Sequence, residues 1–113
     1  MAKVEITESL YEKVENKFKE KASEIFDLME HLENNPKKGK FLGSAEGLAI
    51  KEIKYKGFRF YFIVDNYKIK FLSTEELEDL LIRFVRMSNK KEQQKTINEI
   101  KHILRAIGPS GFD

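Results

Sequence analysis

Apolar residues recur along this chain in two rhythms, and the change of rhythm marks its architecture. After a short candidate strand from Lys3 to Ile6, Leu10, Val14 and Phe18 come every four residues. Ala22, Ile25, Phe26, Met29 and Leu32 continue at helical spacing. Such a stripe predicts an amphipathic helix, because 3.6 residues per turn bring these positions onto one face. The same stripe fits two helices with a tight break near Lys19 and Lys21. Thr7, followed by Glu8 and Ser9, supplies N-cap chemistry at its start. Asn34-Asn35-Pro36 ends it, since proline disfavours helix at the preceding residue.

A glycine-rich basic loop is expected over residues 37–47, and from Leu48 the rhythm switches to period two. Ala49, Lys51, Ile53 and Tyr55 alternate with Ile50, Glu52, Lys54 and Lys56. Phe58, Phe60, Phe62 and Val64 alternate with Arg59, Tyr61, Ile63 and Asp65. Successive strand side chains point to opposite faces, so each run predicts a strand. Lys56-Gly57 reads as a tight hairpin turn, Asp65-Asn66 as a second turn, and residues 67–72 as a third hairpin strand. The middle of the chain is therefore an antiparallel meander rather than a βαβ unit.

Residues 73–88 admit two readings. Ser73-Thr74-Glu75-Glu76 looks like a capping box ahead of Leu77, Leu80, Leu81, Phe84 and Val85 at helical spacing. Alternatively, Ile82, Phe84 and Arg86 oppose Arg83, Val85 and Met87 as in a strand. Beyond Asn89, Ile97, Ile100, Ile103, Leu104 and Ile107 form the apolar face of a C-terminal helix that Gly108-Pro109 stops.

With 113 residues, 41% of them apolar, the chain can build one core, and a single domain over 1–113 is expected. No apolar run reaches the ~18–20 residues of a membrane span, and the first residues lack the features of a secretory signal. The absence of cysteine excludes disulfides and thiolate metal sites, and the two histidines are far apart. A reducing, cytoplasmic setting without metal or cofactor is expected. Net charge is +2, but residues 1–34 hold five Lys and nine acids while the remainder holds sixteen Lys or Arg and ten acids. A polyanion facing the basic side would explain this asymmetry, and so would a solvated Lys-rich surface.

A two-residue turn at Lys56-Gly57 pairs Tyr55 with Phe58, Lys54 with Arg59 and Glu52 with Tyr61. One sheet face then carries Glu52, Lys54, Arg59 and Tyr61, and the other Ile53, Tyr55, Phe58, Phe60 and Phe62. The apolar face is expected to pack on the helices, leaving the polar face to solvent or a ligand. A carboxylate, two cations and a phenol suit RNA cleavage by its own 2′-hydroxyl, which needs a base, positive charge at the phosphate and an acid for the leaving oxygen. Arg clamps phosphate bidentately, and Tyr61 could stack on a base. The bland alternative is a solvated face with weak surface ion pairs. His31 and His102 read as helix-surface residues.

The run Gly47-Leu48, Lys51-Glu52-Ile53-Lys54 and Gly57-Phe58-Arg59-Phe60-Tyr61-Phe62 resembles the core of the RelE/ParE toxin superfamily. The end, Phe84-Val85-Arg86-Met87-Ser88-Asn89-Lys90-Lys91 with Glu99-Ile100, is similar to the HigB-type branch. This resemblance covers nearly the whole chain, with 74–80 and 108–113 outside it, and favours a strand over 81–87. It implies an α+β fold: an N-terminal helical hairpin packed on a small antiparallel sheet, with a C-terminal helix. It also implies a type II toxin that cleaves messenger RNA at the ribosome, with a cognate antitoxin and ribosome-bound mRNA as partners, and no cofactor, metal or membrane. Arg59 matches the Arg of the Gly-aromatic-Arg motif, Lys54 the basic position of the preceding strand, and Arg86 and Lys90 the Lys positions of the HigB-type end. On this reading Arg59 and Arg86 stabilise the phosphate, and Lys54, Lys56, Lys90 and Lys91 contact RNA. Glu52 is the base, and Tyr61 stacks or transfers a proton. Arg59→Ala is expected to abolish cleavage with the fold intact. Met87 stands where a second Lys is usual, and no His or Tyr ends the last strand. The alternative is a non-catalytic member acting by protein binding, as a gyrase inhibitor or antitoxin co-repressor.

Overall fold

The computed structural model describes residues 2–65 and 81–112. Strand β1 (Lys3–Ile6) leads into helix α1 (Glu8–Phe18), where the Thr7 hydroxyl accepts a hydrogen bond from the Leu10 amide at 3.4 Å. At Lys19, φ is 50°, and a tight helical turn over Lys19–Lys21 redirects the chain into α2 (Ala22–Glu30). The Tyr11 and Phe26 rings stack with centroids 4.4 Å apart, which requires the two helices to fold against each other. The predicted stripe is therefore divided into a helical hairpin.

Strands β2 (Lys40–Ala45), β3 (Leu48–Tyr55), β4 (Phe58–Asp65) and β5 (Leu81–Asn89) complete a five-stranded sheet of order β1-β5-β4-β3-β2. The sheet is mixed, because β1 pairs with β5 in parallel while the other neighbours are antiparallel. Expectation differs here from the structure: a fully antiparallel sheet was implied, and β2 falls within the segment read as loop. A slip in the β2–β3 pairing between Phe41 and Gly43 breaks the alternation that would reveal this strand. The hairpin register is the expected one, with Lys56 (φ 43°) and Gly57 (φ 84°) supplying the two left-handed residues of a tight turn. The strand reading of 81–87 also holds. The expected strand at 67–72 and the capping box at 73–76 lie outside the described residues.

Helix α3 (Gln93–Ala106) completes the architecture, and it changes the expected picture. On one face of the sheet, Ala49, Ile53, Phe60, Phe62, Val64, Ile82 and Phe84 pack against Leu10, Val14, Ile25 and Met29 of the hairpin. Tyr55 ties this layer together by donating to Glu24 Oε2 at 2.6 Å. On the other face, Ile50, Tyr61, Ile63 and Val85 pack against Ile97, Ile100 and Leu104 of α3. Phe112, in a short turn over Pro109–Phe112, folds back into the same cluster. The face expected to meet solvent or ligand is thus covered, because its strands carry Ile50, Tyr61 and Ile63 beside their charges and α3 needs an apolar partner. Among the described residues no helix is long and apolar enough to cross a membrane.

Gly39 precedes β2 at φ 106°, where an added Cβ would lie 2.8 Å from Phe62 Cζ and 3.1 Å from the Glu52 carbonyl oxygen. Gly39→Ala should combine backbone strain with overpacking and cost about 1–3 kcal/mol, read as a lowered midpoint in urea denaturation.

Candidate functional site

Strand register arranges the candidate residues in two rows beneath α3. Glu52, Tyr61 and Arg86 stand opposite one another on β3, β4 and β5. Lys54, Arg59 and Ser88 form the adjacent row toward the β3–β4 turn. Pairing between β4 and β5 slips after Tyr61, leaving Val85 without a partner across the strand. Val85 and Arg86 consequently both serve the α3 side: Val85 enters its apolar cluster and Arg86 pairs with Glu99 of the helix.

All four predicted catalytic residues therefore share one face, but that face is closed. Glu52 is 1% exposed, Tyr61 0% and Arg59 8%. One Glu52 oxygen, Oε2, lies 3.7 Å from Arg59 Nε and accepts from Gln93 Nε2 at 3.3 Å. Among the described residues, the other, Oε1, is buried with no hydrogen-bond partner, as is Arg59 Nε. Ser88 Oγ donates to the Asn89 carbonyl at 2.9 Å and lies 2.7 Å from the Tyr61 hydroxyl. A serine hydroxyl has one proton, so in this arrangement Tyr61 is the donor. Burial pushes the Tyr61 phenol above its ordinary range, with the Glu52 charge adding to the shift and Ser88 and Arg59 opposing it. Tyr61 thus holds its proton at neutral pH, the state of an acid rather than a base.

Arg86 is partly exposed and already engaged. Its Nε donates to Glu99 Oε1 at 2.8 Å and its Nη1 to the Val85 carbonyl at 2.8 Å. Its guanidinium carbon sits 5.1 Å from the Phe112 ring centroid. Of the predicted RNA-contacting lysines, Lys54 is exposed in the same row as Arg59. Lys90 and Lys91 are exposed in the link between β5 and α3, and Lys56 is exposed at the β3–β4 turn, beside Lys21 of the helical hairpin.

Three further residues belong to the cluster: Ser88, Gln93 and Glu99. Ser88 was accessible to sequence reasoning, being two positions beyond Arg86 on the same strand; Gln93 and Glu99 could be placed only once α3 was docked. A cleft of about 630 Å³ opens beside the cluster, between α1, the end of β5 and the first turns of α3, and Ser88 and Glu99 line it. Among the described residues no group of three or more His, Cys, Asp or Glu side chains could hold a metal ion. Comparison with protein-family models, curated proteins and solved structures finds no match for this chain.

Burial reverses the expectation that Arg59→Ala would spare the fold. Removing Arg59 leaves the Glu52 carboxylate enclosed without its cation, and loss of one partner from a buried pair costs about 3–5 kcal/mol. Arg59→Met should approach the lower end of that cost, and adding Glu52→Gln should restore part of it. Urea midpoints of the two single variants and the double would show this as a non-additive cycle.

Proposed function

We propose that this chain is a RelE/ParE-type toxin that cleaves ribosome-bound messenger RNA on the face carrying Arg59, Tyr61 and Arg86. The observation supporting this most strongly is convergence: Glu52, Arg59 and Tyr61, selected by their chemistry, and Arg86, selected by the resemblance, meet on one face, and two of their polar atoms are buried and unmatched among the described residues. Buried polar atoms are nearly always paired, and the exceptions call for an explanation such as a catalytic role.

In the proposed reaction the 2′-oxygen of RNA attacks the adjacent phosphorus. The O2′–P bond forms and the P–O5′ bond breaks, giving a 2′,3′-cyclic phosphate and a 5′-hydroxyl end. One proton leaves the 2′-hydroxyl and one is delivered to the departing 5′-oxygen. Arg86 binds the non-bridging oxygens, with Arg59 as the second cation. Tyr61, holding its proton, donates to the leaving oxygen. Glu52 holds Arg59 in place and serves as the base for the 2′-hydroxyl; because Glu52, Arg59 and Tyr61 are all buried beneath α3, each of these roles requires the helix to move off the face. The same reading assigns a cognate antitoxin as protein partner.

One observation favours a second reading. With α3 over the face and Glu99 occupying Arg86, the described arrangement suits a non-catalytic member that acts by binding protein.

Primer extension on a model message after brief induction separates the two. Under the cleavage reading, the unaltered chain cuts at codon positions, Arg86→Gln cuts about 100-fold less, and Glu99→Gln, which frees Arg86, cuts more. Intact message with all three proteins would leave the protein-binding reading, and DNA supercoiling would be assayed next.

A further inference from the structure

The cleft beside the cluster has a composition that the cleavage chemistry does not use. Its floor is apolar: Phe58 at the start of β4 and Met87 near the end of β5, both on the hairpin side of the sheet. Its walls carry Lys13 and Lys17 from α1 and Lys95 from α3, with Asn16, Asn89 and Thr96 as hydrogen-bonding groups. Two carboxylates also line it, and both are engaged: Glu92 lies 3.9 Å from Lys95 and Glu99 2.8 Å from Arg86. Among the described residues neither Lys13 nor Lys17 forms an ion pair. Lys17 instead places its ammonium 4.9 Å from the centroid of the Phe58 ring, covering an aromatic face with a cation.

We propose that this cleft receives an unstacked base of single-stranded RNA, held on Phe58 and Met87, while Lys13 and Lys17 take the flanking phosphates. A flat apolar floor next to cations is the arrangement by which proteins hold single strands without a duplex. The volume of about 630 Å³ accommodates a nucleotide rather than a helix. Lys17 is exchangeable in this scheme: a base arriving on Phe58 displaces the ammonium, which then meets the phosphate the base brings with it.

The surroundings extend the same surface. Past the end of α1, Lys21 in the turn between the helices lies beside Lys56, and its proximity and charge lower the pKa of Lys56. Two ammonium groups held side by side favour an anion between or beside them. Lys13, Lys17, Lys21 and Lys56 thus line one margin of the domain, from the cleft to the β3–β4 turn. Ser88 lies in both the cleft and the Tyr61 cluster, so a strand anchored here passes the edge of the proposed cleavage face.

The inference rests on the RNA reading above, and binding can be measured apart from cleavage. Fluorescence anisotropy with a 5′-labelled oligoadenylate of about ten nucleotides would use Arg86→Gln protein, in which cleavage is suppressed. Single-stranded RNA should bind more tightly than the same strand annealed to oligouridylate. Phe58→Leu, which keeps the apolar volume but removes the stacking surface, should weaken binding about tenfold. Lys13→Gln with Lys17→Gln should weaken it and lower the salt slope by about 1.4, at about 0.7 per phosphate contact on single strands. Should Phe58→Leu fail to fold by circular dichroism, the exposed lysine pair decides alone. Equal binding of single and double strands, or unchanged affinity and salt slope in the lysine pair, would overturn the proposal. Cleavage that persists with unchanged binding in the cleft variants would reject the cleft while sparing the cleavage reading; cleft-dependent binding without cleavage would do the reverse.

Discussion

The seating of α3 on the second face of the sheet determines the state of everything around the candidate site. Ile97, Ile100 and Leu104 find their apolar partners in Ile50, Tyr61, Ile63 and Val85. Burying such side chains is worth about 1.5–3 kcal/mol each, and their burial carries Glu52 and Arg59 out of water with them. The two charges must then answer to each other, because an ion enclosed without a counter-charge costs several kcal/mol. Gln93 supplies a further hydrogen bond from the first turn of the helix, and Phe112 closes the far end of the apolar cluster. Helix docking and the ionic arrangement are therefore one event: whatever lifts α3 also returns Glu52, Arg59 and Tyr61 to solvent.

Much of this architecture was legible in the chain because local rules acted unopposed. The Phe-rich alternation of β4 and the Lys56-Gly57 turn led to the register later observed, pair by pair from Tyr55–Phe58 to Glu52–Tyr61. Thr7 as N-cap followed from capping in the same way, whereas spacing fitted one helix as well as two and left the break at Lys19–Lys21 open. Strand β2 was not legible, since its short run contains a pairing slip and Gly43 within a basic, glycine-rich context. The parallel pairing of β1 with β5 joins residues about eighty positions apart and leaves no local signature.

The candidate site was legible as a set of residues and misjudged as an environment. Period-two alternation correctly grouped Glu52, Lys54, Arg59 and Tyr61 on one face. The same alternation also placed Ile50 and Ile63 there, and these make the face half apolar. Weighing them with the stripe on the last helix points to a covered face, whereas the charges alone point to an open one. Arg86 adds a second subtlety: the slip beside Val85 puts two consecutive residues on the same side, against strict alternation.

Because α3 packing and burial of the polar cluster are coupled, Tyr61 reports on both. Its phenol can be followed by ¹³C NMR with tyrosine labelled at the ring carbon bearing oxygen, the assignment made with Tyr61→Phe. At about pH 10 an exposed phenol is half ionised. With α3 seated, burial raises the Tyr61 pKa, so its resonance should still be predominantly that of the neutral phenol at this pH. A chain ending at residue 92, which lacks α3, should bring Tyr61 back to the ordinary titration. A Tyr61 resonance half ionised at about pH 10 in the intact chain would contradict a closed, helix-covered site.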